Sequence, residues 1–419
     1  MLGDKLLGRL SVPPRVKKLQ GMLLLSCVCA SVASAQVPLV GSNGPLRIVN
    51  TDMAVLEAQD VRKDLPCTVA PAKPVLGFDL RFHAGYDVSV PLKELSGTEN
   101  QLTIMFRVIP ENHKDEPYYF VQHIKVPSIP EDARGDANLQ GVIDLGEGNF
   151  HVDWLMRDRG ERVCSFYWDM EAFLPAKDKQ MTLEIPPAVA QAARFEQFNE
   201  EPPVERAQQG QPFNVKLLVN FAPQNAGSPA LRPMDTQALI SILRRISREP
   251  QFGKFSLVAF NMQEQRVLFR QDSADKIDFP ALGKQIQSVK LGTVDMRKLG
   301  QKHADTEFLT ELIQKEMRAE DHPDALIFAG PKIMLDGAVP QEALKPFAED
   351  LAYPVFYMNY SLYPQVQPWR DSISRAVKIF KGTEFTITRP RDLWFAVSDM
   401  VARIVKSKHG RNTLPISAQ

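Results

Sequence analysis

The spacing of apolar residues changes once along this 419-residue chain, near residue 211, and that change constrains the fold more than any other feature. Between residues 67 and 185, apolar and polar residues alternate with a period of two, as in the run 102–108. Gly, Pro and Asn separate these runs, and no helical pattern lies between them. Such a pattern is typical of antiparallel strands that bury one face. We therefore predict an antiparallel β-sandwich over residues 67–185.

Residues 212–405 follow a different pattern, in which strands alternate with amphipathic helices. The apolar runs 215–219 and 325–329 indicate buried strands, and segment 235–247 places its apolar residues on one helical face. A hairpin over 255–271 follows that helix. Alternation of this kind indicates an open, mostly parallel sheet with helices on both faces. We predict a Rossmann-like domain here, which makes the whole chain α/β plus all-β.

The remaining segments connect or flank these two domains. Residues 186–211 are rich in Pro and Gln and are predicted to form a linker, with a short helix around 188–198. Residues 36–66 are turn-rich and weakly periodic, so we interpret them as a leader segment. Residues 406–419 form a C-terminal tail.

The first 35 residues have the pattern of a cleaved signal peptide. Basic residues, including Lys17 and Lys18, precede an apolar stretch at 22–32 that is too short to span a bilayer. Small residues at Ala33 and Ala35 then suit a signal peptidase, which places the mature start at Gln36. We expect an exported protein, periplasmic or extracellular, with no transmembrane segment in the mature chain.

The cysteines indicate the redox compartment of the protein, and the charge balance limits the classes of partner it can bind. Cys27 and Cys29 leave with the signal peptide, so Cys67 and Cys164 remain. Two thiols in an exported domain usually oxidise to one disulfide, and the alternative is two separate buried thiols. The 50 Lys and Arg residues balance 50 Asp and Glu residues, so no overall field attracts nucleic acid.

The order of elements in 211–405 resembles that of a von Willebrand factor type A domain. The closing segment 382–393, which leads into the last amphipathic helix, is similar as well. The Ig-like sandwich ahead of it resembles the partner domain of bacterial exported proteins of this kind. The resemblance implies a divalent cation held by an Asp-x-Ser-x-Ser run, a Thr and a further Asp.

This sequence departs from that cation-binding pattern. The matching run, 220–224, begins with Asn220 and carries neither serine, and the strand that would end in Asp ends in Gly330. A hard cation needs several oxygens, preferably charged. Thr306 alone survives, and we interpret it as a helix N-cap. We therefore expect a degenerate site without a metal or cofactor.

A second candidate cation motif lies at residues 136–147, which match a calcium-binding EF-hand loop at most positions. Pro127 and Pro130 preclude a good entering helix. We therefore interpret this segment as a polar β-turn.

Sequence motifs of catalysis are missing: the chain has no nucleophile elbow, zinc-protease motif, Walker loop or dinucleotide fingerprint. We therefore predict a non-enzymatic, adhesion-type module that binds a protein partner in the crevice beyond the carboxyl ends of the strands. The alternatives are a hydrolase or other enzyme that uses the pair His303 and Asp305, or a structural component of the cell envelope. The residues expected to line the crevice are Asn220, Phe221, Gln224, Asn225, Asp305, Thr306, Lys332 and Tyr360.

Overall fold

A computed structural model describes residues 37–38, 50–97, 100–193, 198–207, 211–223, 231, 233–287, 304–319, 321–333, 339–361 and 370–412. The predicted signal peptide and the proposed mature start at Gln36 lie outside these residues. Within them, no helix combines the length and the apolar character needed to cross a bilayer.

The N-terminal half is a sandwich of two antiparallel sheets, as predicted. Its strands are β1 (Val37–Pro38), β2 (Thr68–Leu76), β3 (Phe82–Pro91), β4 (Asn100–Pro110), β5 (Tyr118–Val126), β6 (Asp136–Leu145), β7 (Gly148–Arg157), β8 (Val163–Ala172) and β9 (Ala190–Ala192). The larger sheet has the order β1-β5-β4-β7-β8, and the smaller sheet has the order β2-β3-β6-β9. Short 3₁₀ helices lie at Leu92–Leu95 and Ala176–Asp178.

Inward-facing aromatic side chains fill the space between the two sheets. The Tyr86 ring lies 5.6 Å from the Phe106 ring and 5.4 Å from the Trp154 ring, edge to face in both cases. All three side chains are buried. Because each large apolar side chain contributes about 1.5–3 kcal/mol on burial, this cluster is a main source of the sandwich's stability.

The predicted disulfide is confirmed. Cys67, just before β2, is bonded to Cys164 in β8, with the two Cα atoms 6.3 Å apart. Since β2 belongs to the smaller sheet and β8 to the larger one, the bond connects the two halves of the sandwich.

The predicted leader segment contains a helix, α1 (Asn50–Ala58). Its Leu56 packs on the outer face of the larger sheet, against Met105 and Leu155. The Tyr167 hydroxyl donates a hydrogen bond of 2.8 Å to the Val55 carbonyl. This helix therefore covers one face of the sandwich.

The helix predicted around 188–198 is wrong for residues 188–193, and residues 194–197 lie outside the described residues. Ala188 has a positive φ of 62°, which ends any helical path, and its N–H donates to the Glu147 carbonyl at 2.8 Å. The chain then enters β9, which pairs with β6 from Ala190 to Ala192. Part of the predicted linker is therefore a strand of the smaller sheet.

Neither interpretation of residues 136–147, as a calcium loop or as a β-turn, is correct. Residues Asp136–Leu145 form β6, which pairs with β3 along its whole length. An extended strand cannot wrap its side chains around one cation as an EF-hand loop does.

Strand β2 forms an edge of the smaller sheet and is interrupted by prolines. Pro71 and Pro74 both lie in it, and its register against β3 shifts between Ala72 and Val75. Most of its residues are exposed.

The C-terminal half is an α/β domain, as predicted, with one open six-stranded sheet. Its elements are β10 (Phe213–Asn220), α2 (Pro233–Ser247), β11 (Phe252–Asn261), β12 (Arg266–Ala274), α3 (Phe279–Gln287), α4 (Ala304–Met317), β13 (Ala325–Pro331), α5 (Gln341–Glu349), β14 (Val355–Tyr360), α6 (Ser372–Ile379), β15 (Thr383–Ile387) and α7 (Pro390–Asn412). The strand order is β12-β11-β10-β13-β14-β15, and only β12 runs antiparallel to its neighbour.

Helices cover both faces of this sheet. Helices α2, α3 and α7 bury apolar residues against one face, and α4, α5 and α6 against the other. Because both faces are covered, the central strands are apolar almost throughout, and every residue of β13 is buried.

The two domains are in direct contact. The Phe78 ring of the sandwich lies edge to face against Tyr360 of β14, with centroids 5.9 Å apart. Arg248 of the α/β domain is 3.1 Å from Glu184 and 2.7 Å from Glu201, both of which precede that domain in the chain.

Candidate functional site

The strand order of the α/β sheet reverses between β10 and β13. The chain leaves β10 toward β11 on one side, whereas β13 pairs with β10 on the other. In open α/β sheets, ligands bind in the crevice beyond the carboxyl ends of the strands at such a point. The side chains at this edge of the sheet therefore form the candidate site.

Three neighbouring strands place Asn220, Gly330 and Asn359 in one row. Asn220 ends β10 and lies beside Gly330, because the preceding residues Val219 and Ala329 are paired. Gly330 is in turn paired with Asn359 of β14. The next residue of the row is Thr386 of β15, which is paired with Asn359.

All members of this row face the side covered by α4, α5 and α6. Side chains alternate along a strand, and the residues two positions earlier, Leu218, Phe328 and Tyr357, pack into the core on that side. Asn220 and Asn359 are completely buried.

The hydrogen bonds of Asn220 fix the direction of its amide. Its Oδ1 accepts from the backbone N–H groups of Ala222 and Met262, both at 3.2 Å. An amide oxygen accepts and an amide nitrogen donates, so the orientation is unambiguous. Its Nδ2 is buried and has no hydrogen-bond partner among the residues that the structure describes.

Asn359 is turned in the complementary way. Its Nδ2 donates to Glu384 Oε1 at 3.0 Å and to Thr386 Oγ1 at 3.3 Å. Its Oδ1 is buried without a hydrogen-bond partner in the described part of the chain, as is the hydroxyl of Ser361. Lys332 Nζ lies 3.4 Å from the same Glu384 oxygen, so these two charges neutralise each other.

A buried carboxylate anchors the chain just below this row. Asp371 accepts from the Tyr357 hydroxyl at 3.0 Å and from the N–H of Ile333 at 3.3 Å, and it also caps α6. Burial raises the pKa of the Asp371 carboxyl, even though its hydrogen bonds act in the opposite direction. Burial likewise raises the pKa of Tyr357 well above its usual value. These contacts hold the residues after β13 against β14.

The residues predicted from the sequence divide into four groups, of which Asp305 and Thr306, in the first turn of α4, form the last. Asn220 and Lys332 lie at the edge of the sheet, on the side of the row. Phe221 and Tyr360 face the opposite core and are buried there. Gln224, Asn225 and His303 lie outside the described residues, so the pair of His303 and Asp305 cannot be placed.

Thr306 does not cap its helix, contrary to the prediction. Helix α4 begins at Ala304, so Thr306 lies within its first turn, where it is buried and its carbonyl accepts from the Thr310 hydroxyl at 2.6 Å. The Thr306 N–H donates to Asp305 Oδ1 at 2.7 Å.

Sequence reasoning missed the part played by Asn359, Glu384 and Ser361. Asn220 and Asn359 both follow a run of apolar residues at the end of a buried strand. A polar residue at the carboxyl end of each of two buried parallel strands was the available signal. The carboxyl ends of parallel strands meet at one edge of the sheet, so such residues lie close together.

The chemistry of this edge does not suit a hard cation. Ala222 and Gly330 supply no side-chain oxygen, and the one oxygen of Asn220 already accepts two hydrogen bonds. Ca²⁺ and Mg²⁺ need about six or more oxygen ligands, usually including carboxylates. Across the described ranges, no group of three or more His, Cys, Asp and Glu side chains could hold a metal ion.

A second concave region lies at the opposite edge of the same sheet. It is a groove of about 1620 Å³ between residues 200–206 and the start of β10 and β11. Arg206 lies 5.4 Å from the Phe255 ring centroid and donates to the carbonyls of Ser247 and Glu249. The rim mixes basic and acidic side chains, such as Lys276 paired with Glu200. It therefore presents no net charge that would select a ligand.

The sandwich contains a histidine held between two carboxylates. His83 Nδ1 lies 2.8 Å from Asp144 Oδ1, and its Nε2 lies 3.0 Å from Asp79 Oδ1. Burial lowers the pKa of His83, but the hydrogen bonds and charges of Asp144 and Asp79 outweigh it and raise this pKa to about 10. His83 is therefore a cation at neutral pH, and Arg81 adds a second positive charge 3.3 Å from Asp144.

Comparisons with known proteins add little to this description. The chain matches no protein-family model and no curated protein sequence. Northeast Structural Genomics Consortium target SoR45 is 12% identical with a TM-score of 0.17, over 30% of this chain and 95% of that one. A glycosyl hydrolase family 2 member from Bacteroides cellulosilyticus is 10% identical with a TM-score of 0.18, over 76% of this chain and 37% of that one.

A β-glucuronidase 2 variant from Bacteroides uniformis gives 8% identity and a TM-score of 0.17, over 72% of this chain and 34% of its own. The chain thus spans about a third of the length of the two hydrolase structures. TM-scores this low do not support a functional comparison.

Proposed function

We propose that this protein is an exported, non-enzymatic module that binds a protein partner through the carboxyl edge of its α/β sheet. The α/β domain is von Willebrand factor A-like in this proposal, with a degenerate site that holds no metal. The observation that supports this proposal is the buried row of Asn220, Gly330 and Asn359. It places two uncharged amides near the point where the strand order of the sheet reverses. Uncharged hydrogen-bonding groups suit recognition better than cation binding or acid–base chemistry.

The charges at this edge support binding over catalysis. General acid–base catalysis needs a base within hydrogen-bond reach of the proton that it removes. Lys332 and Glu384 neutralise each other, and the Asp371 carboxylate is committed to the N-terminus of α6 and to Tyr357.

Export is supported by the disulfide between Cys67 and Cys164, because such bonds persist in oxidising compartments. Sequencing the amino terminus of the protein isolated from its native cells tests this part of the proposal. We expect the chain to start at Gln36, and an intact Met1 on the functional protein would contradict export by a cleaved signal.

A pull-down comparison tests the binding role. The mature protein and a variant with Asn220→Ala and Asn359→Ala are immobilised and exposed to an envelope extract, and captured proteins are quantified by mass spectrometry. The matched control is Asn138→Ala, which removes an exposed asparagine from the sandwich.

We expect at least one protein to be captured equally by the wild type and the control and to be depleted about tenfold or more with the edge variant. Circular dichroism must show that the edge variant is folded. Equal capture by all three folded proteins would refute a role for this edge.

A further inference from the structure

We infer that the outer edge of β8 binds an extended segment of another protein in which apolar and basic residues alternate. The segment adds to the larger sheet of the sandwich as a further strand, by backbone hydrogen bonds. This surface belongs to the sandwich and not to the carboxyl edge of the α/β sheet, so the inference goes beyond the proposed function and does not depend on it.

The chain itself already extends the sheet along the first part of β8. Strand β8 is the last strand of the larger sheet. The Leu65 N–H donates to the Val163 carbonyl at 3.0 Å, and the Ser165 N–H donates to the Arg62 carbonyl at 2.9 Å. Residues 62–65 therefore lie beside β8 as a short antiparallel stretch. This edge of β8 is thus able to form strand hydrogen bonds.

Beyond Ser165 the same edge is open. Backbone groups of successive residues in a strand point alternately to its two sides. The bonded groups of Val163 and Ser165 point away from β7, so those of Tyr167, Asp169 and Glu171 point the same way. Among the residues that the structure describes, no backbone group pairs with these three residues on that side. Their N–H groups and carbonyls are available to a partner strand.

The regularity of β8 makes it a good template for strand pairing. Its ten residues contain no proline, and they pair with β7 without a shift in register. Strands β2 and β12 also lie at sheet edges, but β2 contains two prolines and the register of β12 against β11 shifts twice. Prolines and bulges of this kind are the usual means of blocking an edge, and β8 has neither.

The inner side of the β8 edge is apolar. Phe166 and Trp168 pack against the core of the sandwich, but both are only partly buried, and their ring centroids lie 6.0 Å apart. Side chains of an added strand point alternately to the two faces of the sheet. Apolar residues at every second position of the partner segment therefore cover these two rings.

The outer side of the same edge is acidic. Asp169 and Glu171 are exposed, and 85% of the Asp169 side chain is accessible. His151 Nδ1 lies 2.6 Å from Asp169 Oδ1, and within the described part of the chain the second oxygen of Asp169 has no partner. Because opposite charges on neighbouring strands attract, basic residues suit the outward positions of the partner segment.

The same two acids disfavour a second copy of this chain as the occupant. A two-fold axis at the edge pairs β8 with itself in antiparallel orientation. With residues 62–65 in place, such pairing brings Asp169 and Glu171 of the two copies opposite or diagonal to one another. Like charges in these positions are destabilising. A different protein, with a basic strand, is therefore the occupant that the edge fits.

Fluorescence anisotropy with labelled peptides tests the inference on the full mature protein. The probe is the peptide Lys-Val-Lys-Val-Lys-Val-Lys, with both ends blocked. A matched peptide has Glu in place of each Lys. Two further peptides carry N-methyl groups, one on the Lys nitrogens and the other on the Val nitrogens. Residues that exchange hydrogen bonds point their side chains to the same face, so the Lys N–H groups bond to β8 and the Val N–H groups do not.

The protein variant is Asp169→Lys with Glu171→Lys. Its matched control is Glu131→Lys with Asp132→Lys, which changes the charge equally at exposed positions after β5. We expect saturable binding of the probe, and binding at least about tenfold weaker for the Glu peptide, for the Lys-methylated peptide and for the edge variant. The Val-methylated peptide and the control variant should retain the affinity of the unmodified pair within about threefold.

Amide hydrogen exchange shows whether the peptide occupies this edge. Binding should slow exchange at the N–H groups of Tyr167, Asp169 and Glu171. The inference is overturned by any of three results: no saturable binding, equal affinity of the two methylated peptides, or unchanged exchange at these amides with the peptide bound. A dimer of the protein alone that protects the same amides would also overturn it, because the edge would then belong to a second copy.

Discussion

Removing the disulfide tests how much the sandwich depends on one covalent connection between its sheets. The change is Cys67→Ala together with Cys164→Ala. Cys164 is buried in the core, and alanine there avoids placing a polar hydroxyl among apolar side chains.

The expected loss follows from the length of the loop that the bond closes. The two cysteines are 97 residues apart in sequence. In the chain-entropy model, a loop of about 100 residues stabilises the folded state by about 4.7 kcal/mol, because the cross-link reduces the freedom of the unfolded chain. The sandwich should therefore lose several kcal/mol of unfolding free energy.

Hydrogen exchange followed by mass spectrometry measures this loss strand by strand. Each 1.4 kcal/mol corresponds to a factor of ten, so amides in β4 and β7 should exchange about three orders of magnitude faster in the variant. Strands β10 and β13 of the α/β domain provide the internal reference. Reduced wild-type protein should behave like the double variant, which separates loss of the cross-link from loss of the sulfur atoms. Acceleration of less than about tenfold in β4 and β7 would refute the entropic argument.

Four further outcomes are expected. The pKa of His83 rises from 6.5 to about 10 on folding, so its stabilising contribution is complete below about pH 6.5 and is lost as pH rises through about 10; urea unfolding from pH 7 to 11 should show this decline, and His83→Gln should flatten it. Gly330→Ala should cost about 1–3 kcal/mol in urea unfolding because of its positive φ and close contacts, and an unchanged midpoint would contradict the crowding described. Lys216→Met should cost about 3–5 kcal/mol by the same measurement, since it leaves the buried Glu316 without its Lys partner, and a neutral effect would show that Arg270 suffices. Asn220→Asp should not create a Mn²⁺ site in calorimetry, and saturable micromolar binding would refute the count of oxygen ligands given above.

The α/β domain was predictable from the sequence because its sheet is covered on both sides. The run predicted as a strand at 325–329 is the start of β13 (Ala325–Pro331), and the helix predicted at 235–247 is α2 (Pro233–Ser247) within two residues. Buried strands read as apolar runs, and helices that cover them keep one apolar face. These signals depend only on residues close together in sequence, so they can be recognised without knowledge of the fold.

The misses have non-local causes. Helix α1 has nine residues with a weak apolar face, and it is held by packing on the sandwich. The alanine-rich stretch that contains β9 favours a helix by propensity, but pairing with β6 decides its conformation. Asn220 was singled out through a resemblance, whereas its relation to Asn359 depends on the register of three strands that are distant in sequence.

The prolines of β2 limit how copies of this protein can associate. A bare sheet edge offers N–H and C=O groups to a strand from another molecule and so promotes fibril growth. Pro71 and Pro74 have no N–H to donate, and the register of β2 against β3 shifts between Ala72 and Val75. The β2 edge of the smaller sheet is thus a poor template for edge-to-edge strand pairing with another copy at high concentration. A partner that binds at this edge has to be held by side chains rather than by backbone hydrogen bonds.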